Sequence, residues 1–141
     1  MSRNTLSEKR LKIFVCGSMN VTDLTQEIKD FFARLDVDQC EFLIGDCRGV
    51  DAMIQNIAND RNIMTTIYAA GNQPRIYVNP SWPLKLIVTK QTGRKFYEAK
   101  DVAMCNDCDC MIAIWDGKSK GTKRNIDDCI AQDKIVKIFR V

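Results

Sequence analysis

Three short polar loops hold most of the residues that could do chemistry. Each combines glycine with hydroxyl, acidic or basic side chains, in the segments GSMN at 17–20, GDCRG at 45–49 and DGKSKGT at 116–122. Glycine lets the backbone approach a ligand, and the N–H groups that open a following helix favour an anion such as phosphate. The third loop adds serine, threonine and lysines, which suit a phosphate or ribose phosphate. Taken alone, this loop fits a simple surface turn equally well.

Charged residues beside these loops are candidates for sugar binding, phosphate binding or catalysis. Asp51 begins a predicted helix after the second loop, whereas Asp46 and Asp116 end predicted strands. Asp51 has three alternative roles: it could satisfy helix amides, bind ribose hydroxyls or act as an acid or base. Arg48 could bind phosphate or pair with Asp46 or Asp51. Arg94, at the start of a later helix, could also reach a phosphate.

The composition excludes several mechanisms and partners. The chain has 141 residues, no histidine, 45% hydrophobic residues and a net charge of +3. The absence of histidine removes Ser-His-Asp and Cys-His pairs and histidine-ligated metal sites. The scattered basic residues disfavour nucleic acid as a partner, and no apolar run approaches the roughly 18 residues that cross a bilayer. We therefore expect a small-molecule partner and no membrane association.

Seven cysteines form an odd set with no preceding signal-like apolar run. Reduced thiols that pack in the core of a cytoplasmic protein are the simplest interpretation. Cys105, Cys108 and Cys110 have a spacing typical of metal ligands, but a closed zinc site needs four ligands and histidine is absent. Cys47 would be a weak nucleophile candidate, because no base accompanies it. We expect neither a metal nor a cofactor.

Apolar runs and helical periodicity predict alternating strands and helices. The predicted strands are 11–16, 41–45, 63–69, 110–115 and 135–139, with a short extra strand at 84–89 of unknown place in the sheet. The predicted helices are 24–35, 50–59, 94–106 and 122–132, the first with Asp23 as its N-cap and Gln26 completing a capping box. Proline and glycine make 70–83 an irregular loop.

This alternation predicts an α/β fold, a three-layer Rossmann-like sandwich with a mainly parallel sheet of about five strands. Residues 11–141 are expected to form one domain, preceded by a loose arm at 1–10. In such sheets ligands bind beyond the carboxyl ends of the strands, where the strand order reverses. All three loops are expected at that edge.

Several segments together resemble a known family. The stretches FVCGS at 14–18, GDCRGVDAMI at 45–54 and YEAKDVAMCNDCDCMIAIWDGKSKGTKRNI at 97–126 resemble the SLOG superfamily, a Rossmann-like group related to DprA and LOG proteins, and in particular its small YspA-like branch. The resemblance implies a pocket for a nucleotide-type ligand. The matching positions are Gly17, Ser18, Gly45, Arg48, Gly49, Asp51, Asp116, Gly117, Ser119, Gly121 and Thr122. Arg94 and Lys118 complete the expected ligand-binding set.

Two positions depart from the family pattern. Met19 stands where the first motif commonly has arginine, and Asn125 stands where the LOG enzymes have glutamate. An amide can neither act as a general base nor stabilise an oxocarbenium ion by charge. The phosphoribohydrolase reaction of LOG enzymes is therefore not supported.

The leading hypothesis is a sensor or sequestering module that binds a nucleotide or an ADP-ribose-type ligand. The alternative is an enzyme that hydrolyses or transfers an N-glycosidic bond, with Asp51 or Asp116 acting on the sugar. A third hypothesis is a vestigial site in a domain that assembles as a homo-oligomer, although the sequence identifies no interface.

Overall fold

Six parallel strands form one sheet in the computed structural model, which describes residues 9–141. The strands are β1 (Leu11–Gly17), β2 (Cys40–Ile44), β3 (Met64–Ala70), β4 (Leu84–Ile87), β5 (Cys110–Trp115) and β6 (Ile135–Arg140). The helices of this part of the chain are α1 (Gln26–Ala33), α2 (Val50–Arg61), α3 (Arg94–Asp107) and α4 (Lys120–Ala131). The predicted α/β sandwich is confirmed, with six strands instead of about five because β4 joins the sheet. Most of the arm expected at 1–10 lies outside the described residues.

The strand order is β4-β3-β2-β1-β5-β6, so β1 lies inside the sheet. Val15 of β1 is in register with Ile44 on one side and with Ile112 on the other. The chain builds outward from β1 in one direction through β4, then returns to add β5 and β6 on the other side. The order therefore reverses between β1 and β5, which is where this class of fold binds its ligands.

Two apolar layers hold the helices on the faces of the sheet. Val15 points into a layer formed with α1 and α2, and its neighbour Phe14 points into a layer formed with α3 and α4. Both side chains are fully buried, as expected when a parallel sheet is covered on both faces. None of the helices within residues 9–141 has the length and apolarity that crossing a bilayer requires.

All seven cysteines are free, and the second layer uses several of them as packing residues. The buried cysteines are Cys16, Cys40, Cys105, Cys108 and Cys129. Cys47 and Cys110 are partly exposed. Across the described range, no group of three or more Cys, Asp or Glu side chains is arranged to hold a metal ion.

The predicted N-cap of α1 is wrong by two residues. Thr25 has extended backbone angles, and its hydroxyl accepts the amide of Ile28 at 3.3 Å. Asp23 instead accepts the amide of its neighbour Leu24 at 2.9 Å. The prediction failed because Leu24 is buried at helical spacing from Ile28 although it precedes the helix. A buried apolar residue before an N-cap therefore extends the apparent periodicity.

This difference in capping predicts different effects on stability. Thr25→Ala should lower the free energy of unfolding by about 1 kcal/mol, because the Ile28 amide loses its acceptor. Asp23→Ala, the matched control, should change it by less than about 0.5 kcal/mol. Urea denaturation of both variants measures the difference. A larger loss for Asp23→Ala would show that Asp23 caps the helix in solution.

The irregular loop at 71–83 is fixed to the carboxyl edge of the sheet by buried polar groups. The amide nitrogen of Gln55, which is fully buried, donates to the carbonyls of Gly45 at 3.0 Å and Ile76 at 3.1 Å. Its oxygen accepts the amide of Val78 at 2.9 Å. One glutamine therefore joins α2 to both the end of β2 and the loop.

Candidate functional site

A small cleft of about 110 Å³ opens at the reversal point of the sheet. We call it the central cleft. Its polar lining includes Asp51, Lys100, Asp101, Ser119, Thr122 and Asn125. Gly17, Cys47 and Gly121 also line it, so the structure brings residues of all three predicted loops together around one space.

A buried lysine contributes the positive charge of the cleft. Lys100 is only 3% exposed, and its Nζ lies 2.9 Å from Oδ1 of Asp101. A Cβ on Gly45 would lie 2.7 Å from Oδ2 of Asp51 and 3.1 Å from Nζ of Lys100. The charged groups of Asp51 and Lys100 thus converge on space that only glycine leaves free. Gly45 makes room for this charge pair.

The pKa values of the pair follow from burial and mutual attraction. Burial raises the pKa of Asp51 to about 6, although the charge of Lys100 and the amide of Cys47, which donates to Asp51 at 3.1 Å, act against the rise. Burial lowers the pKa of Lys100, but the charges of Asp101 and Asp51 outweigh it, and the net shift is upward. Lys100 is therefore charged, and Asp51 exchanges a proton close to neutral pH.

Asp101 is held between two cations. Its Oδ2 lies 3.2 Å from Nη2 of Arg124, whose Nη1 lies 2.9 Å from Glu98. Nη2 of Arg124 also donates to the side-chain oxygen of Asn125 at 3.3 Å. These contacts orient both Asp101 and Asn125 at the cleft wall, and they join α3 to α4.

The third loop is shaped by Asp116. Its Oδ1 accepts the amides of Lys118 and Ser119, both at 2.8 Å, and its own amide donates to Ser18 at 3.2 Å. These backbone hydrogen bonds hold the pKa of Asp116 below its usual range. Asp116 does not line the central cleft, so its role in the structure is to form the loop. Gly117 has a φ of 80°, which suits the glycine of this turn.

The start of α4 presents hydrogen-bond donors to the cleft. Ser119 is the N-cap and accepts the amide of Thr122 at 3.3 Å. The amides of Lys120 and Gly121 have no partner within residues 9–141. A Cβ on Gly121 would meet nothing within 4 Å, so the space beside it is open. Free amides at a helix start favour an anion.

Several predicted site residues lie outside the central cleft. Arg48 lines a separate groove, and Arg94 lies beside an open concavity at the start of α3. Asp46 pairs with Arg75 at 2.8 Å, and within residues 9–141 Arg48 forms no ion pair with either Asp46 or Asp51, so both suggested pairings of Arg48 are wrong. Gly49 has a φ of 79°, and a Cβ there would collide with the backbone of Met19. Arg48 and Arg94 remain predictions without a contact to the cleft, and Lys118 is an exposed residue at the loop rim.

Lys100 and Asp101 are cleft residues that were not predicted from the sequence. A signal was present, because Lys100 lies four residues from both Phe96 and Met104, on the apolar face of the predicted helix. A lysine on such a face requires a buried partner. Asp101 follows it directly, and Asp51 approaches from another helix.

Comparison with protein-family models, with curated proteins and with solved structures found no match. The resemblance of the motifs to the SLOG superfamily therefore stays a prediction from the sequence.

Proposed function

We propose that the central cleft binds a nucleotide or a nucleotide-derived ligand of the ADP-ribose type, and that the protein acts as a sensor or sequestering module. The proposal rests on one observation: two suitable groups of the protein lie together at the reversal point of the sheet. The free amides at the start of α4 suit a phosphate, and the buried carboxylate of Asp51 suits a sugar hydroxyl.

The phosphate belongs at the start of α4. The amides of Lys120 and Gly121 supply two donors, and the side chains of Lys118 and Lys120 add positive charge at the exposed rim. The ammonium group of Lys100, by contrast, forms an ion pair with Asp101 and is attracted by Asp51. The inner part of the cleft holds two carboxylates and one ammonium group, so an anionic group is disfavoured there.

The sugar of the proposed ligand would occupy the inner part of the central cleft. Oδ2 of Asp51 accepts the amide of Cys47, while its Oδ1 has no hydrogen-bond partner in the part of the chain that the structure describes. An ionised carboxylate oxygen accepts the hydroxyl groups of ribose strongly. Pockets for whole drug-sized ligands measure about 300 Å³ or more. A cleft of about 110 Å³ therefore encloses one moiety, and the rest of the ligand lies across the rim.

Calorimetry with a panel of nucleosides, nucleotides and ADP-ribose tests the proposal. We expect heat of binding for phosphorylated ligands and little for the free nucleosides. If no phosphorylated nucleoside binds, the proposal fails.

A substitution at Gly121 tests whether the cleft itself is the site. Gly121→Leu should fold normally, because the side chain enters open space, but it should weaken ligand binding at least about tenfold by filling that space. Lys123→Leu is the matched control, since it introduces the same side chain on the exposed side of α4. Unchanged affinity in Gly121→Leu would move the site away from the central cleft.

A second candidate function is cleavage or transfer of an N-glycosidic bond. The raised pKa of Asp51, about 6, favours it, because a carboxyl group that titrates near neutral pH suits acid–base work. Chromatography of nucleotides after incubation would then show a released base, and Asp51→Asn should abolish the release. Undiminished release by Asp51→Asn would exclude Asp51 from the mechanism.

A further inference from the structure

Two thiols meet beneath the central cleft. Sγ of Cys105 in α3 lies 2.9 Å from Sγ of Cys129 in α4. Cys105 is 1% exposed and Cys129 is fully buried. A third thiol, that of Cys108, is directed toward the carbonyl of Cys105 at 3.4 Å. Cys129 also forms a hydrogen bond with the thiol of Cys108, so it has a thiol neighbour on each side. The contact between Cys105 and Cys129 is the one in which the two sulfur atoms lie 2.9 Å apart.

The position of this pair connects it to the cleft walls. Cys105 follows Asp101 by four residues, and Cys129 follows Asn125 by four residues, so each thiol lies one helical turn below a cleft residue on the same face. Asp101 and Asn125 both contact Arg124. A covalent bond between the thiols would therefore join the two helices that carry opposite walls of the cleft.

The side chains of Gln132 and Lys134 lie against Cys105 near the end of α4. Nε2 of Gln132 lies 3.5 Å from Sγ of Cys105 and donates to Asn106 at 3.0 Å. Gln132 is itself exposed. A small oxidant such as hydrogen peroxide would reach Sγ of Cys105 from this side only after the side chain of Gln132 moves away.

We propose that Cys105 and Cys129 form a reversible disulfide bond between α3 and α4 when the protein meets hydrogen peroxide. Burial raises the pKa of Cys105, and a hydrogen bond with Cys108 together with burial raises the pKa of Cys129, so one of the two thiols must first lose its proton. The thiolate then attacks the O–O bond, which breaks to give a sulfenic acid and, with a proton, water. The second thiol attacks the sulfenic sulfur, and the hydroxyl group leaves as a second water. Two thiols and one peroxide thus give one disulfide and two waters, and reduction by a dithiol restores the original state.

Peptide mapping without reductant tests the bond directly. After peroxide treatment we expect a linked peptide pair containing Cys105 and Cys129, loss of two reactive thiols per chain, and a Tm that is higher by roughly 5–10 °C until dithiothreitol is added. A map showing Cys108–Cys129, or no linked peptide, would overturn the proposal. An effect of the bond on nucleotide affinity rests on the proposed function, whereas the peptide map does not.

Variants separate the pair from the other cysteines. Cys105→Ala and Cys129→Ala should each abolish the Tm shift, while Cys110→Ala, the control, should keep it. Gln132→Ala leaves both thiols in place and should raise the rate of oxidation at least about twofold by removing the side chain that must move away. An unchanged rate in Gln132→Ala, combined with a shift that persists in Cys105→Ala, would also contradict the proposal.

Discussion

Lys100→Met should lower the free energy of unfolding by about 3–5 kcal/mol at pH 7. The substitution keeps most of the apolar stem but removes the ammonium group that lies 2.9 Å from Asp101 and attracts Asp51. Asp51 then remains buried at the cleft without a nearby cation, and the partly exposed Asp101 keeps only Arg124. Without Lys100 the pKa of Asp51 rises further, so the deficit should shrink as the pH falls toward 5 and Asp51 takes up a proton. Chemical denaturation at several pH values measures both effects.

A surface pair supplies the control for Lys100→Met. Lys123 forms an ion pair with Asp127 at 2.7 Å, but both side chains are about half exposed, so Lys123→Met should cost less than about 0.5 kcal/mol. The double variant Asp51→Asn/Lys100→Met should recover part of the loss, because it removes one unpaired carboxylate. Equal, small effects of Lys100→Met and Lys123→Met would show that Lys100 is not buried among carboxylates in solution.

The layers of the fold could be predicted from the sequence because each strand has one simple environment. β1 and β5 are apolar on both faces, and the helices between strands bury one face each. β4 was harder to place, because an edge strand has a single neighbour and its burial is irregular. The pairing of β4 with β3 depends on the loop at 71–83. Gln55 of α2 holds this loop in place through hydrogen bonds.

The loops that surround the cleft could be predicted because chain direction places them there. Parallel strands end at the same edge, so the loops after β1, β2 and β5 converge regardless of their detailed shape. The partners of individual charges could not be predicted in this way. Asp46 bonds Arg75 across 29 residues, whereas Arg48, two positions away from Asp46, lies in another groove. Proximity in sequence is therefore a poor guide to ion pairs between loops.

The glycines divide into those that open space and those that shape the backbone. Gly45 leaves room for Asp51 and Lys100, and Gly121 leaves the cleft open. Gly49 and Gly117 have positive φ angles in turns. Only the first pair determines the free space at the central cleft, although the sequence motifs contain all four. This distinction depends on atoms from other elements, which a linear pattern does not contain.

The stability of Asp51→Asn distinguishes a ligand-binding role of Asp51 from a structural role. The Asp51 pKa of about 6 in the folded protein exceeds the ordinary value of 3.8, so folding favours the protonated carboxyl group. The protonated Asp51 stabilises the fold, and this contribution is complete below about pH 4 and is lost as the pH rises through 6. At pH 7 the loss lowers the free energy of unfolding by about 3 kcal/mol. Asp51→Asn should therefore raise stability by about 1–3 kcal/mol at pH 7, since asparagine still accepts the Cys47 amide. Thermal unfolding from pH 4 to 7 measures this gain, together with a flatter pH dependence.

Asp46→Asn, five positions before Asp51, is a control of opposite sign. Burial alone would raise the pKa of Asp46, but its hydrogen bonds with Arg75 outweigh burial and lower it. The ionised form of Asp46 therefore stabilises the fold above its unfolded pKa, and Asp46→Asn should destabilise the protein at pH 7. If Asp51→Asn gains stability and also loses nucleotide binding, the buried charge of Asp51 is retained for the ligand at the expense of the fold. A loss of stability in Asp51→Asn at pH 7, with the pH profile unchanged, would instead assign Asp51 a structural role.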